Sequence, residues 1–438
     1  MLDTLLSLQL LTGRIPKLTF AAACLALIVL LVRRYDSKRL RALTIGIFSG
    51  AAAGVLLLVV VEGLLNSFGT PLSAGTHLWV VAFTAGTGLA VASMLRAALW
   101  RRLVAIVAVI SFLIAAGIGI NLDYGLTATP AEILGTSTVG PIALPPLRQP
   151  DAPVQAPDGT PNNRPAHGEI GTTTIPAEVS GFPARKAGIY LPPAALQADP
   201  PNLPVVVMMM GQPGTTDPTR VGKAMDAVAT AHGGWSPIVV IADQIGRPVD
   251  DPLCSDVTSF GAAQTYVSVD VVNWIRSSLN VLPDPSAWTV AGYSNGGTCA
   301  ALLGAKFPNV FKNAIGIAGE AFPGQDQEEE TLANALNGDA ALYDSLKPAR
   351  VLAVSGADYS QSWQYFTVGQ TDGNFAQWTR ELADSAEAAG VTTEFEMLHN
   401  EGHGGAALDE ALPSAFAALT QRLEQTGVPG AVAADAAH

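Results

Sequence analysis

The sequence predicts a mixed α/β domain with a mostly parallel sheet of about eight strands, preceded by four transmembrane helices. Three observations carry that expectation. Four uncharged apolar stretches occupy the first 122 residues. From about residue 170 onward, strand and helix signals alternate. Within that alternation lies Gly292-Tyr293-Ser294-Asn295-Gly296-Gly297, a G-x-S-x-G motif between a short apolar run and a helical segment.

The apolar stretches are 18–32, 42–61, 76–95 and 103–122. A helix needs roughly 20 apolar residues to cross the hydrocarbon core, and the last three qualify directly. The first is short, but Lys17 and Arg33 can snorkel outward and extend its reach. Arg33-Arg34 follows this run where a cleaved leader would carry small residues, so a span is expected rather than a signal peptide. Charge is divided along the chain. Residues 1–120 hold ten Lys/Arg and three Asp/Glu, a net of +7, whereas 121–438 hold 14 and 34, a net of −20. The acidic part argues against a nucleic-acid partner, which needs basic surface.

Arg33, Arg34, Lys38, Arg39 and Arg41 lie between the first two spans, and Arg96, Arg101 and Arg102 between the last two. The positive-inside rule puts these loops in the cytoplasm, and the N-terminus and everything after residue 122 outside. Arg14 and Lys17 oppose this with fewer charges. The spans carry no central charge, so they are expected to anchor rather than transport. Residues 123–169 contain nine prolines between Pro130 and Pro165, a composition expected to form a semi-rigid extracytoplasmic spacer. The tail 426–438 is Ala/Gly-rich and is expected to fray.

The catalytic domain is expected over 170–425. Residues 170–175 and 185–191 predict paired opening strands. Val205 to Met210 and Ile238 to Ala242 are continuous apolar runs, suited to buried parallel strands. Helical spacing covers 220–232 and 264–279, the latter with Val267, Val271, Trp274 and Ile275 on one face. Trp288 to Ala291 is the strand before the serine, and 298–307 the helix after it. Residues 314–318, 351–355 and 393–398 predict the remaining strands, and 374–389 and 405–424 the remaining helices. A nucleophile after the fifth of about eight strands is the α/β-hydrolase order.

In that order Ser294 sits on a nucleophile elbow, where the flanking glycines allow strand and helix to approach. A serine hydroxyl needs an adjacent base, itself oriented by a carboxylate. The chain order of this fold is Ser, acid, His. His403, in the glycine-flanked loop Asn400 to Gly405, is the expected base, with His399 as its rival. Asp358, directly after the run 351–355, is the expected acid, with Glu320 and Asp326 as rivals. Backbone N–H groups of Asn295 and Gln212 are the expected oxyanion donors, each worth about 3 kcal/mol. Pro213 has no N–H and cannot serve.

Residues of about 170–425 resemble the esterase D, feruloyl esterase and mycolyltransferase family of α/β-hydrolases. The resemblance rests on Pro204 to Gly214 (PVVVMMMGQPG), Ala291 to Gly297 (AGYSNGG) and Gly402-His403-Gly404-Gly405. A membrane domain joined to an acidic outer domain resembles an actinobacterial cell-envelope member. The resemblance implies acyl-ester chemistry through an acyl-enzyme. Many members carry Met where this chain has Asn295, and His or Asp where it has Met210. The mycolyltransferases use Glu as the acid.

Of three cysteines, Cys24 lies in the first span. Cys254 and Cys299 both fall in the outer domain, where disulfides persist, and form either a bridge or two buried thiols. No spacing predicts a metal site, and no cofactor is expected. Residues 319–349, with the acidic run Asp326 to Glu330, are either a cap over the site or a helix with a favourable acidic N-terminus. The expected function is a membrane-anchored extracytoplasmic serine esterase acting on acyl esters, with envelope lipids or glycolipids as the expected substrates and the bilayer as partner. Acyl transfer to a sugar or lipid hydroxyl is one alternative. A catalytically silent membrane-bound binding module is another.

Overall fold

A computed structural model describes residues 2–32, 36–65, 72–95, 97–125, 127–148, 165–248 and 250–430. Arg33, Arg34, Arg96, residues 149–164 of the proline-rich tract and the end of the tail lie outside these residues. The chain divides into two compact units, residues 1–134 and 135–438.

In the first unit, four of the described helices are long and apolar enough to cross a membrane: α1 (Arg14–Leu31), α2 (Ser37–Leu64), α3 (Ala74–Met94) and α4 (Leu99–Tyr124). Their outer faces expose Leu25, Ile28, Leu56, Leu57, Val107 and Ile110. Such broad apolar exposure suits lipid better than water. The inner contacts use small residues. A Cβ on Gly50 would lie 2.2 Å from the Thr84 carbonyl oxygen, and one on Gly88 2.0 Å from that of Gly46. Close backbone approach through small residues is how helices associate where lipid removes the hydrophobic drive.

The second unit is built on eight strands: β1 (Glu169–Thr173), β2 (Ala187–Leu191), β3 (Val205–Met209), β4 (Ile238–Ala242), β5 (Trp288–Tyr293), β6 (Asn313–Ile317), β7 (Trp363–Gly369) and β8 (Thr392–Leu398). Their order in the sheet is β1-β2-β4-β3-β5-β6-β7-β8. β1–β2 and β2–β4 pair antiparallel, and every other pair is parallel. Strands β3 to β7 are buried along their whole length. That burial is why β3 and β4 read as unbroken apolar runs rather than alternating ones. β8 is a half-exposed edge carrying Glu394 and Glu396, charges of the kind that discourage further pairing.

The principal helices are α5 (Thr219–Ala231), the helical run α6 over 263–278, α7 (Asn295–Lys306), α8 (Pro348–Val354), α9 (Asn374–Ala388) and α10 (Gly405–Gln425). α5 packs against α10, while α7, α8 and α9 pack together.

Two expectations are corrected. Residues 351–355 are not a strand but the end of helix α8, which starts with Pro348 in its first turn, where a missing N–H does no harm. Only Leu352 of its apolar run is buried in the core, and Val354 is exposed. A four-residue apolar run cannot by itself separate strand from helix. The seventh strand is β7. Nor is 135–148 a free spacer. Ile142 N–H donates to Thr172 O (3.1 Å), and Thr172 N–H to Gly140 O (2.8 Å), covering the β1 edge. Arg148 N–H donates to Asn280 Oδ1 (2.7 Å), fastening the end of this segment to the loop before β5.

Candidate active site

The position of Ser294 follows from how β5 meets α7. Ser294 has φ 54° and ψ −122°, a backbone region that non-glycine residues rarely adopt. Its N–H donates to Ile317 O (2.8 Å), and its carbonyl accepts from Gly297 and Thr298 N–H (2.8 and 3.1 Å). Both glycines of the G-x-S-x-G motif are required by close approach. A Cβ on Gly292 would lie 1.9 Å from Gly296 O, and one on Gly296 2.2 Å from Met209 O. Ser294 Oγ therefore stands on a sharp turn at the carboxyl end of the central strand.

His403 lies in the loop between β8 and α10. Its Nε2 is 2.9 Å from Ser294 Oγ, and its Nδ1 is 3.0 Å from Asp372 Oδ2. The ring lies between Phe375 and Tyr293, with centroids 4.1 and 5.4 Å away. The loop itself is pinned. Glu401 O accepts from Thr371 N–H and Oγ1–H, both at 2.8 Å, and Arg220 Nη1 donates to Gly405 O at 3.1 Å. The Glu401 contacts join the loops after β7 and β8, so Asp372 and His403 are set by one interface.

Asp372 was not among the expected residues. Asp358, the expected acid, is instead exposed, and its Oδ1 accepts from Ser360 N–H at 2.9 Å. The carboxylate that meets His403 follows β7, and β7 begins after Asp358. The aromatic and β-branched run Trp363 to Val368, closed by Gly369 and then Asp372-Gly373, carried the signal. Asp372 is 5% exposed. Burial raises its carboxyl pKa, and the hydrogen bond and charge of His403 oppose that rise.

The rivals lie elsewhere. His399 is exposed. Glu320 is buried after β6, accepting from the backbone N–H groups of Gly324, Gln325 and Asp326 at 3.0, 3.3 and 3.3 Å. Burial and the neighbouring Asp326 and Asp251 raise its pKa well above the usual range, and burial also raises those of Asp326 and Asp251. Glu320 therefore holds its proton more tightly in the folded chain than in the unfolded one. Its contribution favours folding at low pH and is lost as pH rises from the ordinary carboxyl range through the raised value. Asp326→Asn is expected to stabilise the protein relative to the unsubstituted chain at pH 8, and to do so less at pH 5. Thermal unfolding at both pH values checks this, and an equal effect at both would contradict it.

The loop after β3 passes close to Ser294: a Cβ on Gly211 would lie 3.1 Å from Ser294 Cβ. The Gln212 side chain on this loop donates to Pro248 O at 3.0 Å. Asn295 is the first residue of α7, where backbone N–H groups have no intrahelical acceptor. Cys254 and Cys299 are joined in a disulfide with Cα atoms 5.0 Å apart, one helical turn beyond Asn295. Leu253, Val257, Leu336, Tyr343 and Leu346 form a separate apolar cluster between the stapled loop and the acidic insert. Among the described residues no group of three or more His, Cys, Asp or Glu could hold a metal ion. The arrangement can move a proton from a serine hydroxyl to an imidazole whose far side faces a buried carboxylate.

A family model described as "Putative esterase" matches residues 183–417, just over half of the chain. The chain belongs to this esterase family. A curated but uncharacterised protein of Corynebacterium glutamicum is 30% identical over 257 residues, which cover 57% of this chain and 60% of that protein. The match thus spans about three-fifths of the relative's length. Among solved structures, an S-formylglutathione hydrolase of Agrobacterium tumefaciens superposes with TM-score 0.49 at 20% identity, covering 60% of this chain and 98% of that one. A ferulic acid esterase gives 0.48 at 17%, covering 58% and 99%. A fluorophosphonate-binding serine hydrolase of Staphylococcus aureus gives 0.46 at 16%, covering 58% and 98%.

Proposed function

We propose that this esterase-family chain is a membrane-anchored serine esterase whose catalytic domain lies outside the cytoplasm and cleaves acyl esters, with envelope lipids or glycolipids as substrates. The observation that carries the reading is His403, in hydrogen-bond reach of Ser294 on one side and of buried Asp372 on the other. Heavy-atom separations near 3 Å are what general-base catalysis requires.

Ser294 Oγ attacks the ester carbonyl and gives its proton to His403 Nε2. Asp372 accepts the Nδ1–H, fixes the tautomer and stabilises the imidazolium. The backbone N–H groups of Gln212 and Asn295 receive the negative charge that develops on the carbonyl oxygen. His403 then protonates the departing alcohol, leaving an acyl-Ser294 enzyme. Water, activated by the same imidazole, releases the acid. The four apolar helices support placement at a membrane surface, where acyl lipids are concentrated.

The test is turnover of a p-nitrophenyl acyl ester by the full chain in detergent, with a sugar acceptor added in parallel. Nitrophenol release with free acid as the only acyl product is expected. Acyl product on the sugar would move the assignment to transfer, and no nitrophenol release would overturn both.

A further inference from the structure

The geometry points to Gln244 and Asp251 as positioning residues that hold the two oxyanion-donating backbone segments in register through the side chain of Asn295. This rests on the proposed serine-esterase reading and extends it to groups that never touch the substrate.

Gln244 follows β4 by two residues and is 3% exposed. Its Nε2 donates to Met210 O (2.5 Å) and to Asn295 Oδ1 (3.1 Å). Met210 lies two residues before Gln212, one expected donor, and Asn295 carries the other. One buried amide thus spans both sides of the oxyanion site. The opposite end of the Asn295 side chain is also held: its Nδ2 donates to Asp251 Oδ1 at 3.0 Å.

Each anchor is fixed in turn. Asp243, beside Gln244, is fully buried and binds Arg185 through both carboxylate oxygens, at 2.7 and 3.1 Å. Asp251 Oδ1 also accepts from Leu253 N–H at 2.9 Å. Leu253 and Cys254 both have positive φ, 58° and 54°, and Cys254 is bonded to Cys299 on α7 itself. The loop carrying Asp251 is thereby tied covalently to the helix that carries Asn295.

The chemistry explains why an amide stands after the nucleophile. An apolar side chain there could not be gripped at two ends. Asn presents an acceptor oxygen and a donor NH₂ group in one plane, and here each end is engaged. Oxyanion donors act through preorganisation, so an angular error in either segment costs rate in the transition state more than substrate affinity.

Gln244→Ala and Asn295→Ala, alone and together, test the clamp, with kcat and KM measured on the same ester in the full chain. Fluorophosphonate titration of Ser294 in each preparation counts competent sites, so misfolded protein does not enter kcat. Each single substitution is expected to lower kcat about tenfold with KM within twofold, and the double no further than the larger single. Asp251→Asn, which keeps an acceptor for Asn295 Nδ2, is expected to retain more kcat than Asp251→Ala. Unchanged kcat in titrated Gln244→Ala, or losses that multiply in the double, would overturn the clamp while leaving the esterase reading intact. An unsubstituted protein that neither labels at Ser294 nor turns over ester would overturn the esterase reading, and the clamp with it.

Discussion

Replacing Ser294 with alanine is expected to lower ester turnover by about 10⁶-fold, and His403→Ala by a similar factor. The two losses are expected not to multiply. Nucleophile and base act as one unit, and removing either leaves only the contributions of binding and the oxyanion site, about 10³–10⁴ over water. The fold should survive. The Ser294 hydroxyl meets His403 at 2.9 Å, while the bonds that set the turn come from its backbone. Stability is therefore expected to change by less than about 0.5 kcal/mol. Thermal unfolding together with kcat/KM checks both halves. Activity in Ser294→Ala within tenfold of the unsubstituted protein would mean that ester cleavage occurs elsewhere.

Asp372→Asn is expected to lower kcat by about 10⁴-fold, whereas Asp358→Asn leaves it within twofold. The buried Asp372 carboxylate faces His403 Nδ1 at 3.0 Å, and an amide there can present its NH₂ and hold the imidazole in the wrong tautomer. Asp358 is exposed, and its carboxylate turns back to Ser360 N–H in its own loop. Its pKa is lowered by that backbone hydrogen bond, which marks a local turn rather than a partner of the imidazole. Equal losses in the two variants, or a larger loss at Asp358, would contradict the assignment of the acid.

These two aspartates show what could be read from the chain and what could not. The turn at Ser294 was legible because glycines at 292 and 296 are dictated by backbone approach, which is a local property. The His403 loop was legible because few histidines follow the nucleophile, and glycines flank this one. The carboxylate partner of His403 was not, because Val351-Leu352-Ala353-Val354 satisfies both a buried strand and one face of a short helix. Tertiary packing of Leu352 against Ala301, Ala305 and Leu382 settles it as helix. Trp363 to Gly369 carried the better strand signal, and Asp372 follows it at the spacing a loop needs. The Cys254–Cys299 bridge was open in the sequence, since spacing says nothing about which thiols meet. Gln244 gave no sequence signal at all. Its contacts depend on Met210 after β3 and Asn295 at the start of α7, which only the folded sheet brings beside the loop after β4.

The central claim is that Ser294 is a nucleophile activated by His403. It is tested most directly by exposing the full chain in detergent to a fluorophosphonate probe and locating the label by mass spectrometry. His403→Ala and Ser294→Ala serve as parallel samples. The account predicts a single label on Ser294, absent from Ser294→Ala and strongly slowed in His403→Ala. A folded protein that takes no label, or one labelled equally fast without His403, would contradict it.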